Sequence, residues 1–221
     1  MLMKEIKYLV LKDIRFELRQ RSAINGILLY VVAIIFVCYL SFHRVNIIDT
    51  QTWNALYWII LMFASMNAVS KTFIQENSNR QFYIYTLASP KAIILSKIIY
   101  NSIFVFVLSM LSYFLYIIFM GSKAQNEMMF IINAAFGSIG ISVVLTFVSA
   151  ISSRTNNNFT LMAVLGFPLI LPLLLVLMKL SEFAINGTDW IIALKYFLLI
   201  FLIDAIVLVL SLVLFPYLWC D

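Results

Sequence analysis

Long apolar runs limit what this chain can fold into more than any other feature. A helix that crosses the hydrocarbon core of a bilayer needs about 20 mostly apolar residues. Six runs reach this length, at residues 22–42, 53–74, 98–120, 128–151, 159–180 and 190–215. Since 64% of all residues are hydrophobic and 11% are charged, the sequence predicts an all-α, polytopic membrane protein. It is expected to form one domain, residues 1–221, with six transmembrane helices.

Basic residues indicate the orientation of these spans, because Lys and Arg are retained on the cytoplasmic side. Eleven of them flank one end of the spans: Lys4, Lys7, Lys12, Arg15, Arg19, Arg21, Lys71, Arg80, Lys91, Lys97 and Arg154. Four flank the other end: Arg44, Lys123, Lys179 and Lys195. Both termini are therefore predicted to be cytoplasmic. This bias accounts for the net charge of +5, so nucleic acid is not an expected partner.

Residues 1–21 precede the first span and show a helical pattern. Apolar residues recur at three- to four-residue spacing, at Leu2, Ile6, Leu9, Val10, Ile14 and Leu18, and basic residues lie between them. This pattern predicts a basic amphipathic helix at the cytoplasmic membrane interface. A solvated basic tail is the alternative.

Residue types that build catalytic and metal sites are scarce. His43 is the only histidine, and no two glycines have the spacing of a phosphate-binding loop, so neither a zinc-binding histidine pair nor a P-loop is expected. We therefore expect a non-catalytic protein with no metal site and no directly bound cofactor. His43, at the outer end of the first span, is a weak candidate haem ligand, although a lone interfacial histidine is more often solvated.

Asp204 is an ionisable residue in the body of the last predicted span. A carboxylate there costs about 2.5–3.5 kcal/mol on insertion scales, so it is expected to face the bundle interior or a water path as a functional charge. A structural hydrogen bond to a neighbouring helix is an equal alternative.

Two other spans carry packing features. Small residues recur every four positions along the fourth span, at Ala134, Ser138, Ser142, Thr146 and Ala150. A ridge of small side chains lets helix backbones approach closely in lipid, so these residues predict a helix-packing surface. In the fifth span, Pro168 and Pro172 each remove a backbone hydrogen bond, which predicts a kink.

A polar and aromatic segment, residues 75–97, joins the second and third spans and is predicted to be cytoplasmic. Residues 76–79, at the start of this segment, favour turns, and the stretch "RQFYIYTLA" that follows can form a short helix across the membrane face. Ser89 is then expected to cap a new helix that has Pro90 at its first position. We interpret this segment as a docking element for a cytoplasmic partner; an interfacial connector without a partner is the alternative.

Within this segment, aromatic side chains are the expected anchors, because aromatics dominate the energetics of protein interfaces. Tyr83 and Tyr85 are the predicted anchors, and Glu76 is predicted to meet a basic residue of the partner.

Three stretches resemble the cytochrome c maturation protein B family, the haem-exporter-type permease of ABC transporters. They are "LKDIRFELRQRSAINGILLY", "FIQENSNRQFYIYTLASPKAIILSKI" and "GFPLILPLLLVL". In the family's loop, an acidic residue precedes a Gly-x-Leu-Glu core, a proline-containing stretch and an Ala-Lys entry. Glu76, Phe82, Pro90 and Ser96-Lys97 correspond to parts of this pattern, whereas Arg80 replaces the glycine and Tyr83 the glutamate. The paired prolines Pro168 and Pro172 also fit the family.

This resemblance implies a permease subunit of the bacterial cytoplasmic (inner) membrane that docks a separate cytoplasmic ATPase. ATP would bind to that partner chain, and haem would be a transported or handled ligand. The implied partners are a haem-handling membrane subunit, a periplasmic haem chaperone and a second permease copy, all in the lipid bilayer. The complex would export haem or use ATP to release the haem-loaded chaperone.

Two other functions remain open at this stage. One is an ABC-2 type export permease for a drug, a lipid or a glycan. The other is an ion-coupled secondary transporter that uses Asp204 and Lys179, although such transporters usually have inverted repeats and several intramembrane charges.

Overall fold

The computed structural model of the chain describes residues 2–19, 21–43, 48–74, 89–153 and 158–220. These residues form α-helices and no strand. The helices are α1 (Leu2–Arg19), α2 (Arg21–His43), α3 (Thr50–Ile74), α4 (Pro90–Met120), α5 (Glu127–Ser152), α6 (Asn158–Asn186) and α7 (Trp190–Cys220). The all-α prediction is confirmed for this part of the chain.

Five of these helices are long and apolar enough to cross a membrane, namely α2, α4, α5, α6 and α7. The second predicted span, residues 53–74, lies in α3, which has 25 residues and is long enough, since about 20 residues suffice. However, α3 has Trp53, Asn54 and Asn67 within its apolar run, and it is not among the five apolar candidates. The count of six spans therefore remains a prediction.

α3 is nevertheless one of the most buried helices in the bundle. Trp53, Trp58 and Leu61 on α3 are completely buried, and α3 packs against α2, α4, α5 and α6. Its polar side chains reach neighbouring helices: Asn54 Nδ2 donates to the Met178 carbonyl at 2.8 Å. A helix enclosed by other helices can carry such groups, because protein rather than lipid satisfies them.

α4 begins eight residues earlier than the predicted third span. Ser89 occupies the position before the helix and Pro90 its first position, which suits proline because its missing N–H would have no intrahelical partner. α4 has 31 residues, so at 1.5 Å per residue it is about 46 Å long, against a hydrocarbon core of about 30 Å. Its first turns therefore extend beyond the apolar core.

α5 is the central helix of the bundle and contacts α3, α4, α6 and α7. Every residue from Ile141 to Ala150 is buried. Two glycines allow close approach by side chains of other helices. A Cβ at Gly137 would lie 2.7 Å from the Trp58 ring of α3, and one at Gly140 would lie 2.4 Å from Asp204 Oδ1 of α7.

Candidate functional site

The start of α4 belongs to the part of the predicted docking element that the structure describes. Ser89 lies within this element, directly before α4, and its hydroxyl donates to Glu5 Oε2 of α1 at 3.2 Å. Its backbone N–H lies 3.5 Å from the same oxygen. Ser89 was predicted to cap α4 itself, but its side chain makes no cap hydrogen bond to α4. The Glu5 carboxylate instead accepts a hydrogen bond from the serine hydroxyl, and this bond connects α1 to the beginning of α4.

A second contact between α1 and α4 is a buried ion pair. Lys97 Nζ lies 3.2 Å from Asp13 Oδ2, and only 5% of the lysine side chain and 9% of the aspartate side chain are exposed. Isolated charges at this depth would be strongly destabilising, so the pairing stabilises both groups. Asp13 Oδ1 also lies 3.3 Å from Lys12 Nζ on its own helix. Lys97 was predicted to mark the entry of the third span, and the structure gives it a specific charge partner that the sequence did not indicate.

The third contact brings Glu17 of α1 next to Tyr100 of α4. The three contacts occur in the same order along both helices, Glu5 with Ser89, Asp13 with Lys97, and Glu17 with Tyr100. The first two are eight residues apart on each helix, about 12 Å at 1.5 Å per residue. The two helices therefore run side by side in the same direction over these turns, with all three acidic residues of α1 directed at α4.

The remaining docking residues fall outside the described part of the chain. These are Glu76, Arg80, Phe82, Tyr83 and Tyr85; their proposed roles stay predictions. Pro90 is described and half-buried at the start of α4.

Asp204 lies near the middle of α7 and points towards α5. Its Oδ1 atom is buried against Gly140 and has no hydrogen-bond partner among the residues that the structure describes. The carboxyl group is thus directed at protein rather than at lipid. The alternative prediction was a hydrogen bond to a neighbouring helix, but no described residue donates a hydrogen bond to Oδ1.

The secondary-transporter hypothesis paired Asp204 with Lys179. Lys179 Nζ instead lies 2.8 Å from Glu182 Oε2, three residues further along α6, and both side chains are close to half-exposed. The lysine also stands over the Phe183 ring at 5.6 Å. Its charge is therefore compensated locally on its own helix.

The predicted ridge of small residues faces α4. All five members, Ala134, Ser138, Ser142, Thr146 and Ala150, are buried. The Ser102 hydroxyl donates to Ser142 Oγ at 3.3 Å, and Asn101 Nδ2 donates to Thr146 Oγ1 at 2.9 Å. The ridge thus provides acceptors for α4 in addition to the close approach that small side chains allow.

The other sequence candidates lie apart from these contacts. Pro168 and Pro172 are exposed on α6, and the helix continues through both; the kink stays a prediction. His43 is the last residue of α2, and its side chain lies outside the described part.

Sequence reasoning missed a polar network that holds α3, α5 and α6 together. The Trp58 indole N–H donates to Ser181 Oγ at 2.8 Å. Asn133 Nδ2 donates to the same oxygen at 2.7 Å and to the Leu177 carbonyl at 2.9 Å. The available signal was an asparagine within an apolar run, because a buried amide requires partners.

These long apolar helices, joined by buried polar contacts, define a polytopic α-helical membrane protein. The sequence profile of the CcmB protein family matches residues 4–217, nearly the whole chain, and the chain belongs to that family. It is therefore a membrane component of a haem-export ABC transporter in cytochrome c biogenesis, which confirms the resemblance predicted from the sequence. No individually curated protein matches the chain.

Proposed function

We propose that this chain is the permease that receives the movement of a separate cytoplasmic ATPase through residues 75–88 and passes it to α4. The observation that carries this proposal is the attachment of α1 to the first turns of α4, directly after that segment. Two contacts make the attachment, from Glu5 to Ser89 and from Asp13 to Lys97. The ATPase would bind and hydrolyse ATP, and the permease would have no catalytic residue of its own.

The packing of the bundle supports a transmission route. α4 contacts α1, α2, α3, α5 and α7, so a displacement of its cytoplasmic end acts on most of the bundle. Packed helices move between discrete arrangements rather than bending continuously. Because α1 is joined to α4 by a buried ion pair, the two helices are expected to move as one unit when the ATPase closes.

Family membership supports the rest of the proposal. We place the protein in the bacterial inner membrane with both termini in the cytoplasm. Its partners would be the ATPase, a haem-handling membrane subunit, a periplasmic haem chaperone and a second permease copy. The assembly would export haem or use ATP to release the haem-loaded chaperone.

The docking step can be tested by co-purification from cells that also express the ATPase. The double substitution Tyr83→Ala and Tyr85→Ala should abolish recovery of the ATPase with the permease, because it removes the two predicted anchors. Membrane insertion and the amount of folded permease should be unchanged. The matched control is Asn156→Ala with Asn157→Ala in the other predicted cytoplasmic loop, which should retain the ATPase. Full recovery with the tyrosine variant would contradict docking at this segment.

A further inference from the structure

α1 has two chemically opposite faces. Its acidic residues, Glu5, Asp13 and Glu17, contact α4. Five basic residues of α1 are exposed. Lys12 pairs with Asp13 at 3.3 Å, whereas Lys4, Lys7, Arg15 and Arg19 form no ion pair with a described residue. On a helix of 3.6 residues per turn, positions 4, 7, 15 and 19 fall within one third of the circumference. The face that points away from α4 is therefore basic.

This basic face also carries apolar and aromatic side chains. Tyr8 is 73% exposed and Leu11 is 38% exposed, and both lie among the four cations on the same side of the helix. A purely solvated face has no reason to expose a large aromatic ring. Mixed cationic and aromatic surfaces are typical of helices at the membrane interface, where the ring reaches the headgroup level and the cations meet phosphate.

We infer that the outward face of α1 binds the phosphodiester headgroups of anionic phospholipids. Clusters of four or more Lys and Arg residues next to a transmembrane helix are attracted to anionic lipid, at about 1 kcal/mol for each cation near the surface. α1 is in this position, because α2 follows after a single residue and its apolar span begins at Asn25. The acidic residues that could neutralise the face are engaged with α4.

The position of α1 next to a membrane span favours lipid, and not a protein, as the partner of its basic face. The acidic contacts turn the basic face of α1 away from α4, and α1 leads directly into the membrane span of α2. Anionic lipid is available all along that boundary, and flexible Lys and Arg side chains need no fixed partner geometry to reach it. A protein groove would require an acidic surface of matching shape, and nothing on the described surface specifies one.

The test uses the full-length protein in vesicles of phosphatidylcholine with phosphatidylglycerol as the minor component. Spin-labelled phosphatidylglycerol and spin-labelled phosphatidylcholine report the relative association of each lipid with the protein. Arg15→Gln with Arg19→Gln should lower the preference for phosphatidylglycerol by about fivefold for each cation removed at low salt. Raised salt should lower the preference of the unmodified protein, because ions screen surface charge.

The matched control removes two basic residues elsewhere, with Lys179→Gln and Lys195→Gln, and should leave the preference unchanged. Thermal unfolding in detergent verifies that each variant is folded. An unchanged lipid preference in the folded Arg15 and Arg19 variant would overturn the inference. If that variant keeps its lipid preference but loses the ATPase in co-purification, the face is a protein-docking surface instead. Loss of lipid preference with the ATPase retained supports lipid binding independently of the proposed function.

Discussion

Asp204 Oδ1 of α7 is packed against the backbone of Gly140 in α5, so closely that a methyl group on that glycine would lie 2.4 Å away. The absence of a side chain at Gly140 is what lets α7 bring a carboxyl group into the centre of the bundle. The contact joins a residue type that is costly in a membrane to the smallest residue on the central helix.

Gly140→Ala should therefore destabilise the protein. Overpacking typically destabilises a protein by about 1–3 kcal/mol, and the higher helix propensity of alanine offsets about 1 kcal/mol of this loss. We expect a net loss of up to about 2 kcal/mol in the free energy of unfolding, measured by denaturant titration in mixed micelles. The added substitution Asp204→Ala should recover most of the loss by removing the clash.

The control for this prediction is Gly166→Ala in α6, where a new Cβ would have its nearest neighbours at 3.9 Å. That substitution should be neutral or slightly stabilising. Equal destabilisation by both alanines would show that helix flexibility, and not the contact with Asp204, accounts for the effect.

Breaking the buried pair of α1 and α4 should be more costly. Lys97→Met removes the buried partner of Asp13 and leaves only the partly exposed Lys12, whose Nζ lies 3.3 Å from Asp13 Oδ1; loss of a buried partner typically destabilises by about 3–5 kcal/mol. The double substitution Asp13→Leu with Lys97→Met should restore most of the stability, since no uncompensated charge remains. The same unfolding titration measures both variants.

Lys179→Met provides the comparison, because its pair with Glu182 is exposed and contributes little. A loss at Lys97 no larger than the loss at Lys179 would contradict the importance of the buried pair.

The ridge of small residues on α5 should not tolerate bulk. Ser142→Leu places a large side chain where Ser102 of α4 approaches within 3.3 Å, so a loss of about 1–3 kcal/mol is expected from overpacking. Ile139→Leu, on an exposed position of the same helix, should have little effect. Equal tolerance of the two leucines in the unfolding titration would mean that α4 can move away from α5 at little cost.

The predicted topology can be checked by labelling single cysteines with a membrane-impermeant maleimide in intact cells. With Cys38 and Cys220 replaced by alanine, Lys123→Cys and Asn186→Cys should be labelled from outside, because both lie at ends with few basic residues. Ser153→Cys should be labelled only after the membrane is opened. The reverse pattern would place both termini outside.

Much of the architecture was predictable because it depends on local properties. Apolar length specifies a spanning helix, and Pro90 marks the start of α4, since proline suits a first turn. The weakest prediction concerned α3, whose tryptophans and asparagines lower its apolar character. Burial among other helices compensates for those groups, and burial by distant parts of the chain cannot be read from a local window.

The residues of the candidate site could be predicted from the sequence only in part, and their contacts could not. The sequence marked Asp204 as unusual and Ser142 as part of a ridge, but it could not name their neighbours. Glu5 and Ser89 are 84 positions apart, and no local pattern relates one to the other. Likewise, the acids of α1 looked like ordinary members of an amphipathic helix until their contacts with α4 were known.

By itself, the sequence determined that the chain is an all-α membrane protein of the CcmB family with a strongly basic N-terminal helix. Only the tertiary structure decided that the acidic residues of that helix contact α4, that Asp13 pairs with Lys97, and that Asp204 packs against Gly140. The physical reason is that membrane crossing depends on the transfer free energy of one segment. Pairing of buried charges and close packing depend on distances between segments, which exist only in the assembled bundle.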